Sequence, residues 1–102
     1  MSQASISEAS PGVFSLAGVL DYQTAPALRE QGARLLKNSQ AAVCVLDCSA
    51  VAKSSSVGVS LLLAFMRDAS AAGKKLSVSS LPKGMHEIAG VCGLLEILPL
   101  QA

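Results

Sequence analysis

The sequence predicts an α/β fold in which a mixed β-sheet of four to five strands carries its helices mainly on one face. Short apolar segments of strand length alternate with longer segments of helical periodicity, and this alternation favours a layered arrangement with some parallel pairing. Residues 41–46 are continuously apolar, which is typical of a strand buried on both faces. Apolar residues make up 51% of the 102 residues, so a core can form, and we expect one domain spanning residues 1–102.

The first part of the chain is predicted to form two strands and a helix. An edge strand over residues 4–8 pairs with a strand over residues 13–17 through the Pro and Gly of the turn at 10–12. Thr24 is expected to cap the following helix, which has Pro26 in its first turn, where proline is tolerated. The three-four spacing rule gives this helix one apolar face, formed by Ala25, Leu28, Gly32, Leu35 and Leu36.

The second part is predicted to continue the alternation. The strand over residues 41–46 should end at Asp47 and lead through a polar loop into a second helix, about residues 57–72. Ser56 is expected to be the N-cap of this helix and Gly73 its C-terminal stop. The remaining predicted elements are a short strand at 76–79, a third helix from Pro82 to Val91 and a last strand at 95–98.

Charge and composition argue against nucleic-acid and membrane partners. Eight basic and seven acidic side chains leave a net charge of +1, and the sequence has no basic run of the kind that nucleic-acid binders concentrate. The longest apolar run, residues 61–66, is far shorter than the roughly 20 residues needed to span a bilayer. Residues 1–5 lack the basic start and the apolar stretch of a signal peptide. We therefore expect a soluble cytoplasmic protein without direct membrane insertion.

Side chains that carry catalysis or bind metals are few. The cysteines Cys44, Cys48 and Cys92 form an odd set without CxxC spacing, so we expect reduced thiols, with Cys44 and Cys92 buried in the packing. The single histidine, His86, has no partner in the sequence for a catalytic or metal-binding role. The sequence also lacks a glycine-rich phosphate loop. It therefore predicts no catalytic residue, no metal and no cofactor, and a protein that is not an enzyme.

The predicted second helix is unusual because apolar residues surround it almost completely. A surface helix normally shows one apolar stripe. Here the apolar positions are Val57, Val59, Leu61, Leu62, Leu63, Phe65 and Met66. One interpretation is a helix buried more deeply than usual. The other, which we favour, is that one face packs on the sheet while the outer face binds a partner, since a small two-layer domain has little material to cover it.

Three motifs together resemble the STAS domain family, which includes the bacterial anti-sigma-factor antagonists. Residues 45–65, VLDCSAVAKSSSVGVSLLLAF, resemble the family's central strand, loop and helix. Residues 16–25 are similar to its L-x-G-x-L-D-x-x-T-A segment, and residues 93–98 are similar to its closing Gly-Leu turn and strand. The likeness covers nearly the whole chain in the right order. It implies a STAS fold and a function exerted by binding another protein.

The resemblance places the family's regulatory hydroxyl at Ser56, which makes Ser56 the candidate phosphorylation position. Where the family usually has Asp before this residue, the chain has Ser55, and Val57 follows it. The short C-terminus, ending Leu98-Pro99-Leu100, and the LLLAF helix resemble a second STAS branch, the subunit of the bacterial ABC transporter that maintains outer-membrane lipid asymmetry. The predicted partner-binding and regulatory residues are Ser54, Ser55, Ser56, Val57, Leu61 and Phe65.

The physics of Ser56 adds to the resemblance. As an N-cap its hydroxyl would accept a hydrogen bond from the first helical turn, contributing about 1 kcal/mol. A phosphate there would face the positive end of the helix, so the fold would tolerate it. The same phosphate would add about two negative charges to an apolar docking face and expel a partner.

Two functions follow as expectations. The first is an accessory subunit that binds the ATPase of a phospholipid-transporting ABC complex. The alternative is an anti-sigma-factor antagonist that binds an anti-sigma factor kinase in a partner-switching transcription system. An enzyme or a carrier of a small ligand ranks third, and the fold by itself does not choose between the roles.

Overall fold

The computed structural model describes residues 4–100, and these form four strands and three helices in alternating order. The elements are β1 (Ala4–Ser10), β2 (Val13–Leu20), α1 (Ala25–Asn38), β3 (Val43–Ser54), α2 (Ser56–Ala71), β4 (Lys75–Ser79) and α3 (Lys83–Val91). The α/β class and the mixed sheet predicted from the sequence are thus confirmed. The one-domain prediction also includes residues 1–3 and 101–102, which lie outside the described residues.

The sheet has the strand order β1-β2-β3-β4. β1 runs antiparallel to β2 across the turn at Gly12, whose φ of 79° suits glycine. The pairs β2–β3 and β3–β4 are parallel. Phe14, Leu46 and Val78 lie side by side in register and are all buried, whereas Ser15, Asp47 and Ser79 form the next row and are only half-buried. This alternation places the core on one face of the sheet, with the helices, and leaves the other face open.

The core is aliphatic with two phenylalanine rings. Leu46 on β3 and Leu62 on α2 are 2% and 0% exposed, and both belong to the buried core. α1 buries Leu28 and Leu36, and α3 buries Met85 and Ala89. These side chains belong to one continuous cluster, so each helix is held on the sheet by burial of its apolar side.

α1 and α2 pack against each other at a glycine. Gly32 of α1 is buried against the Phe65 ring of α2, and a Cβ at position 32 would overlap that ring. Glycine inside a helix costs about 1 kcal/mol relative to alanine. Here that cost is offset because the two helix backbones come close enough for Phe65 to be fully enclosed.

β3 is longer than predicted. The strand was expected to end at Asp47, but it continues to Ser54, and residues 50–54 pair with β2 through two register shifts. The pairing reaches Leu20 opposite Ser54. The polar loop expected between Asp47 and the second helix is therefore strand, because the hydrogen bonds of β2 extend over residues whose composition alone favours a loop.

Three further predictions are wrong in detail. Residues 95–98 form turns, with the Leu98 N–H donating to the Leu94 carbonyl, and only Leu100 makes a bridge beside Val78. Thr24 occupies the N-cap of α1, but its hydroxyl accepts from the Asp21 N–H and donates to a carbonyl of β2 instead of capping the first turn. Cys92 is exposed at the C-cap of α3, where the helix ends before the core closes around the thiol.

A polar network stabilises the end of the sheet that is opposite to the first turn of α2. The Glu8 carboxylate accepts hydrogen bonds from the Gly12 N–H and the Ser39 hydroxyl, each 2.9 Å long. The Lys74 ammonium donates to the carbonyls of Ser39 and Ala41, both at 2.8 Å. The network joins the β1–β2 turn, the end of α1, the approach to β3 and the residues before β4. It lowers the pKa of Glu8, chiefly through the Gly12 bond and then the Ser39 bond.

Truncation of buried core side chains should lower the free energy of unfolding. We expect Leu46→Ala or Leu62→Ala to lose about 2–5 kcal/mol of unfolding free energy, because each leaves a cavity in the cluster. Glu30→Ala should stay within about 0.5 kcal/mol, since Glu30 is exposed and its ion pair with Arg34 is a surface pair. Urea melts measure all three, and equal losses at the three positions would contradict the assigned faces.

The Glu8 network predicts a dependence of stability on pH. The folded-state pKa of Glu8 lies below its ordinary value of 4.5. The carboxylate therefore stabilises the fold above that pH, and the stabilisation is lost as the pH falls through the lower, folded-state value. The stability difference between the parent and Glu8→Gln, measured by urea melts, should shrink as the pH drops below 4.5. Glu87→Gln, on an exposed site of α3, is the control, and a constant difference for Glu8→Gln through the acid range would refute the assignment.

Candidate docking site at the start of helix α2

Three consecutive serines connect β3 to α2. Ser54 ends β3, Ser55 is the N-cap of α2 and Ser56 is its first residue. The Ser55 hydroxyl accepts from the Val57 N–H at 3.2 Å, and the Ser55 N–H donates to the Leu20 carbonyl of β2 at 3.0 Å. The start of α2 is thereby attached to the end of the β2–β3 pairing.

The cap predicted at Ser56 is therefore wrong by one residue. Ser55 has the extended backbone of a cap, with φ −88° and ψ −178°, whereas Ser56 already belongs to the helix. Ser56 is exposed. Its hydroxyl therefore does not cap the helix as predicted. The prediction that Ser56 contacts or regulates a partner is independent of capping.

A glycine in the first turn lets α2 begin close to the sheet. A Cβ on Gly58 would overlap the Ser54 hydroxyl and come within 3.2 Å of the Leu20 Cβ. The sequence analysis gave Gly58 no role. The signal available in the sequence was its place three residues after Ser55, in the first turn of a helix where glycine is otherwise unfavourable.

A groove of about 390 Å³ lies between the first turns of α1 and α2. Ala25, Leu61 and Ala64 form its apolar lining, and Leu61 and Ala64 are buried. Tyr22, 75% exposed, and Val57, half-buried, lie at its margin. The remaining lining residues are Pro26, Arg29, Ser60 and Arg67. Val57 and Ser60 of its lining lie in the first turns of α2, so the groove adjoins the start of this helix.

Leu61 and Phe65 require a correction. The sequence analysis placed both on an outer, exposed face of α2, but they are 4% and 1% exposed. α1 packs along that side of α2 and encloses Phe65 against Gly32, so the more deeply buried helix, the interpretation we did not favour, is the correct one. Of the six predicted residues, the structure brings Ser54, Ser55, Ser56 and Val57 together at the surface. Leu61 contributes only to the groove's lining.

Positive charge predominates around the groove. Arg29 forms an ion pair with Asp68 at 3.4 Å, and Arg67 has no ion pair with another described residue. The exposed Lys53 lies just before the serines, near the positive end of the α2 dipole. No sequence signal singled out Arg29, Arg67 or Tyr22, because each resembles an ordinary surface residue. Their shared location is apparent only once the two helices are placed side by side.

The described residues around the groove are apolar, hydroxyl-bearing or basic. Within residues 4–100 no group of His, Cys, Asp and Glu has the arrangement needed to hold a metal ion. His86 is exposed on α3 and does not line the groove. Burial, with a smaller effect of Asp47, raises the pKa of the Cys48 thiol to about 12, so it stays protonated near neutral pH. This surface combines exposed serines, an apolar lining and two arginines, a composition that suits a protein–protein interface.

Comparison with known families agrees with this arrangement. The sequence profile described as "Mlab, STAS domain" matches residues 4–99. The chain belongs to the STAS family. A search of curated protein sequences gave no significant match. In residues 4–100 there is no helix with the length and apolar character required to cross a membrane.

Solved STAS structures share the fold. A chain of the Acinetobacter MlaFEDB complex, in its ATP-bound state, is 18% identical, with a TM-score of 0.82 over 95% of this chain and 99% of that one. An anti-sigma factor antagonist from Mycobacterium paratuberculosis is 25% identical, with a TM-score of 0.75 over 95% and 82%. The phosphorylated form of the Bacillus cell-fate determinant SpoIIAA is 16% identical, with a TM-score of 0.65 over 97% and 91%. The same fold thus occurs in a chain of the MlaFEDB complex and in an anti-sigma factor antagonist.

The capping geometry predicts which serine stabilises the helix. Ser55→Ala should lose about 1 kcal/mol of unfolding free energy, because the Val57 N–H loses its acceptor. Ser56→Ala, one residue later, should stay within about 0.5 kcal/mol, since the position is exposed and helical. Thermal melts of the two matched variants decide the matter. A larger loss at Ser56 than at Ser55 would restore Ser56 as the cap.

Proposed function

We propose that this STAS domain is a non-enzymatic, cytoplasmic accessory subunit that binds the ATPase of a phospholipid-transporting ABC complex involved in outer-membrane lipid asymmetry. The observation that carries the proposal is the family profile, which describes an MlaB-type domain and matches residues 4–99. The fold of the chain from the Acinetobacter transporter complex agrees with it over 95% of the present chain. On this proposal the protein lies at the inner membrane through its partner.

The docking surface we assign to the ATPase consists of Ser54, Ser55, Ser56 and Val57 with the adjoining groove between α1 and α2. The exposed serines and the 75% exposed Tyr22 offer contacts around an apolar depression, which is the layout of a protein interface. Tyrosine and arginine are enriched among residues that dominate binding energy. Both residue types stand at this groove.

A second candidate is an anti-sigma-factor antagonist that binds an anti-sigma factor kinase. The exposed hydroxyl of Ser56, at the first residue of α2, favours it, because a kinase could reach this position without opening the fold. The 25% identity to the antagonist from Mycobacterium paratuberculosis also supports it. In that role phosphorylation of Ser56 would add about two negative charges to the docking surface and release the partner.

Co-expression with the ABC ATPase of the source organism tests the favoured role. We expect the two proteins to co-purify and the parent chain to bind the ATPase in titration calorimetry. Ser56→Asp should fold normally, since an acidic residue suits the first helical turn. It should nevertheless weaken binding at least tenfold, because a carboxylate is forced into the interface unpaired.

Ser70→Asp, an exposed serine near the other end of the same helix, is the matched control and should bind like the parent. Recovery of an anti-sigma factor kinase without any ATPase would overturn the favoured role and support the second candidate. Equal affinity of Ser56→Asp and the parent for the ATPase would place the docking surface elsewhere.

A further inference from the structure

We propose that the ATPase segment seated in the groove between α1 and α2 carries a carboxylate side chain, which pairs with Arg67 and Arg29 while neighbouring apolar atoms cover the lining. This inference rests on the proposed function and deepens it. It specifies the chemistry of the partner at the groove, about which the resemblance to STAS domains implies nothing.

Arg67 is the first reason. It lies at the groove, is exposed, and forms no ion pair within residues 4–100. The other residues of α2 that line the same groove are Val57, Ser60, Leu61 and Ala64, and no residue of the lining is acidic. The guanidinium therefore stands over an apolar surface without a counter-charge. Because arginine remains charged at any physiological pH, a partner that covers the groove must provide an anion or bury an unpaired charge.

Arg29 is the second reason, because its contact with Asp68 leaves most of its N–H donors free. One guanidinium nitrogen contacts a carboxylate oxygen of Asp68 at 3.4 Å, and the side chain remains 51% exposed. A guanidinium has five N–H donors and binds carboxylates in a planar fork. The long contact to Asp68 uses few of them, so Arg29 keeps N–H donors free for a second carboxylate.

The two charged residues that line the groove, Arg29 and Arg67, are both basic. Arg29 and Asp68 cancel, Arg67 is left over, and the nearby start of α2 adds the positive end of the helix dipole. An acidic partner surface is therefore attracted, and a basic one is repelled. The apolar lining and the exposed Tyr22 ring favour a polypeptide segment with an acidic residue beside apolar ones over a freely diffusing anion, which would leave the lining uncovered.

Charge reversal at Arg67, measured with the co-expressed ATPase, tests the inference. We expect Arg67→Glu to weaken binding at least tenfold, with dissociation faster and association slower than for the parent. Arg67→Gln should weaken binding several-fold. Both should flatten the dependence of affinity on salt concentration, because one interfacial charge pair is lost. Arg34→Glu is the matched control: Arg34 is an exposed arginine of α1 that does not line the groove, and its variant should bind like the parent.

The partner's acid can be located by compensation. ATPase variants in which single surface Asp or Glu residues are changed to Lys should lose affinity for the parent chain and regain it with Arg67→Glu at one position. If Arg67→Glu binds with the parent's affinity and salt dependence while Ser56→Asp releases the ATPase, the carboxylate inference is overturned and the proposed function stands. If the parent chain itself does not bind the ATPase, the proposed function fails, and this inference fails with it.

Discussion

The close contact between Gly32 of α1 and the Phe65 ring of α2 is the constraint on which the rest of the structure depends. It brings the two helices together on one face of the sheet and buries the side of α2 that its sequence leaves apolar. With a larger residue at position 32 the helices would have to separate, and the groove between their first turns would widen or vanish. The lining of the groove includes the small residues Ala25, at the start of α1, and Ala64, next to Phe65 on α2.

The position of α2 along that seam is set by the sheet. β3 pairs with β2 as far as Leu20 and Ser54, and the backbone of Ser55 continues the connection by donating to Leu20. Gly58 then allows the first turn to pass over Ser54 without a clash. The serines stand at the surface because backbone hydrogen bonds and one missing side chain hold them there, not because a loop happens to be exposed. A rigid support of this kind suits a docking surface, since little conformational entropy is lost on binding.

Except for the strand expected at residues 95–98, the sequence predicted the order and type of the elements, because apolar periodicity and turn residues are local signals. What it could not predict depends on contacts between distant residues. Residues 48–54 read as a loop from their composition, yet they form strand because β2 supplies the matching hydrogen bonds. Three identical serines gave no basis for choosing the cap, since only the backbone angles distinguish Ser55 from Ser56. Leu61 and Phe65 were placed outside because the sequence does not reveal how closely α1 approaches α2.

The correction at the serines changes how stability and binding relate to each other. Had Ser56 been the cap, any change there would have altered the helix and the surface together. In the structure the Ser55 hydroxyl caps the helix, and the neighbouring Ser56 hydroxyl is exposed. A charge added at Ser56 leaves the cap intact and meets the positive end of α2, so the fold tolerates it. Under the proposed function, such a charge acts on the interface alone, and the surface can be switched without unfolding the domain.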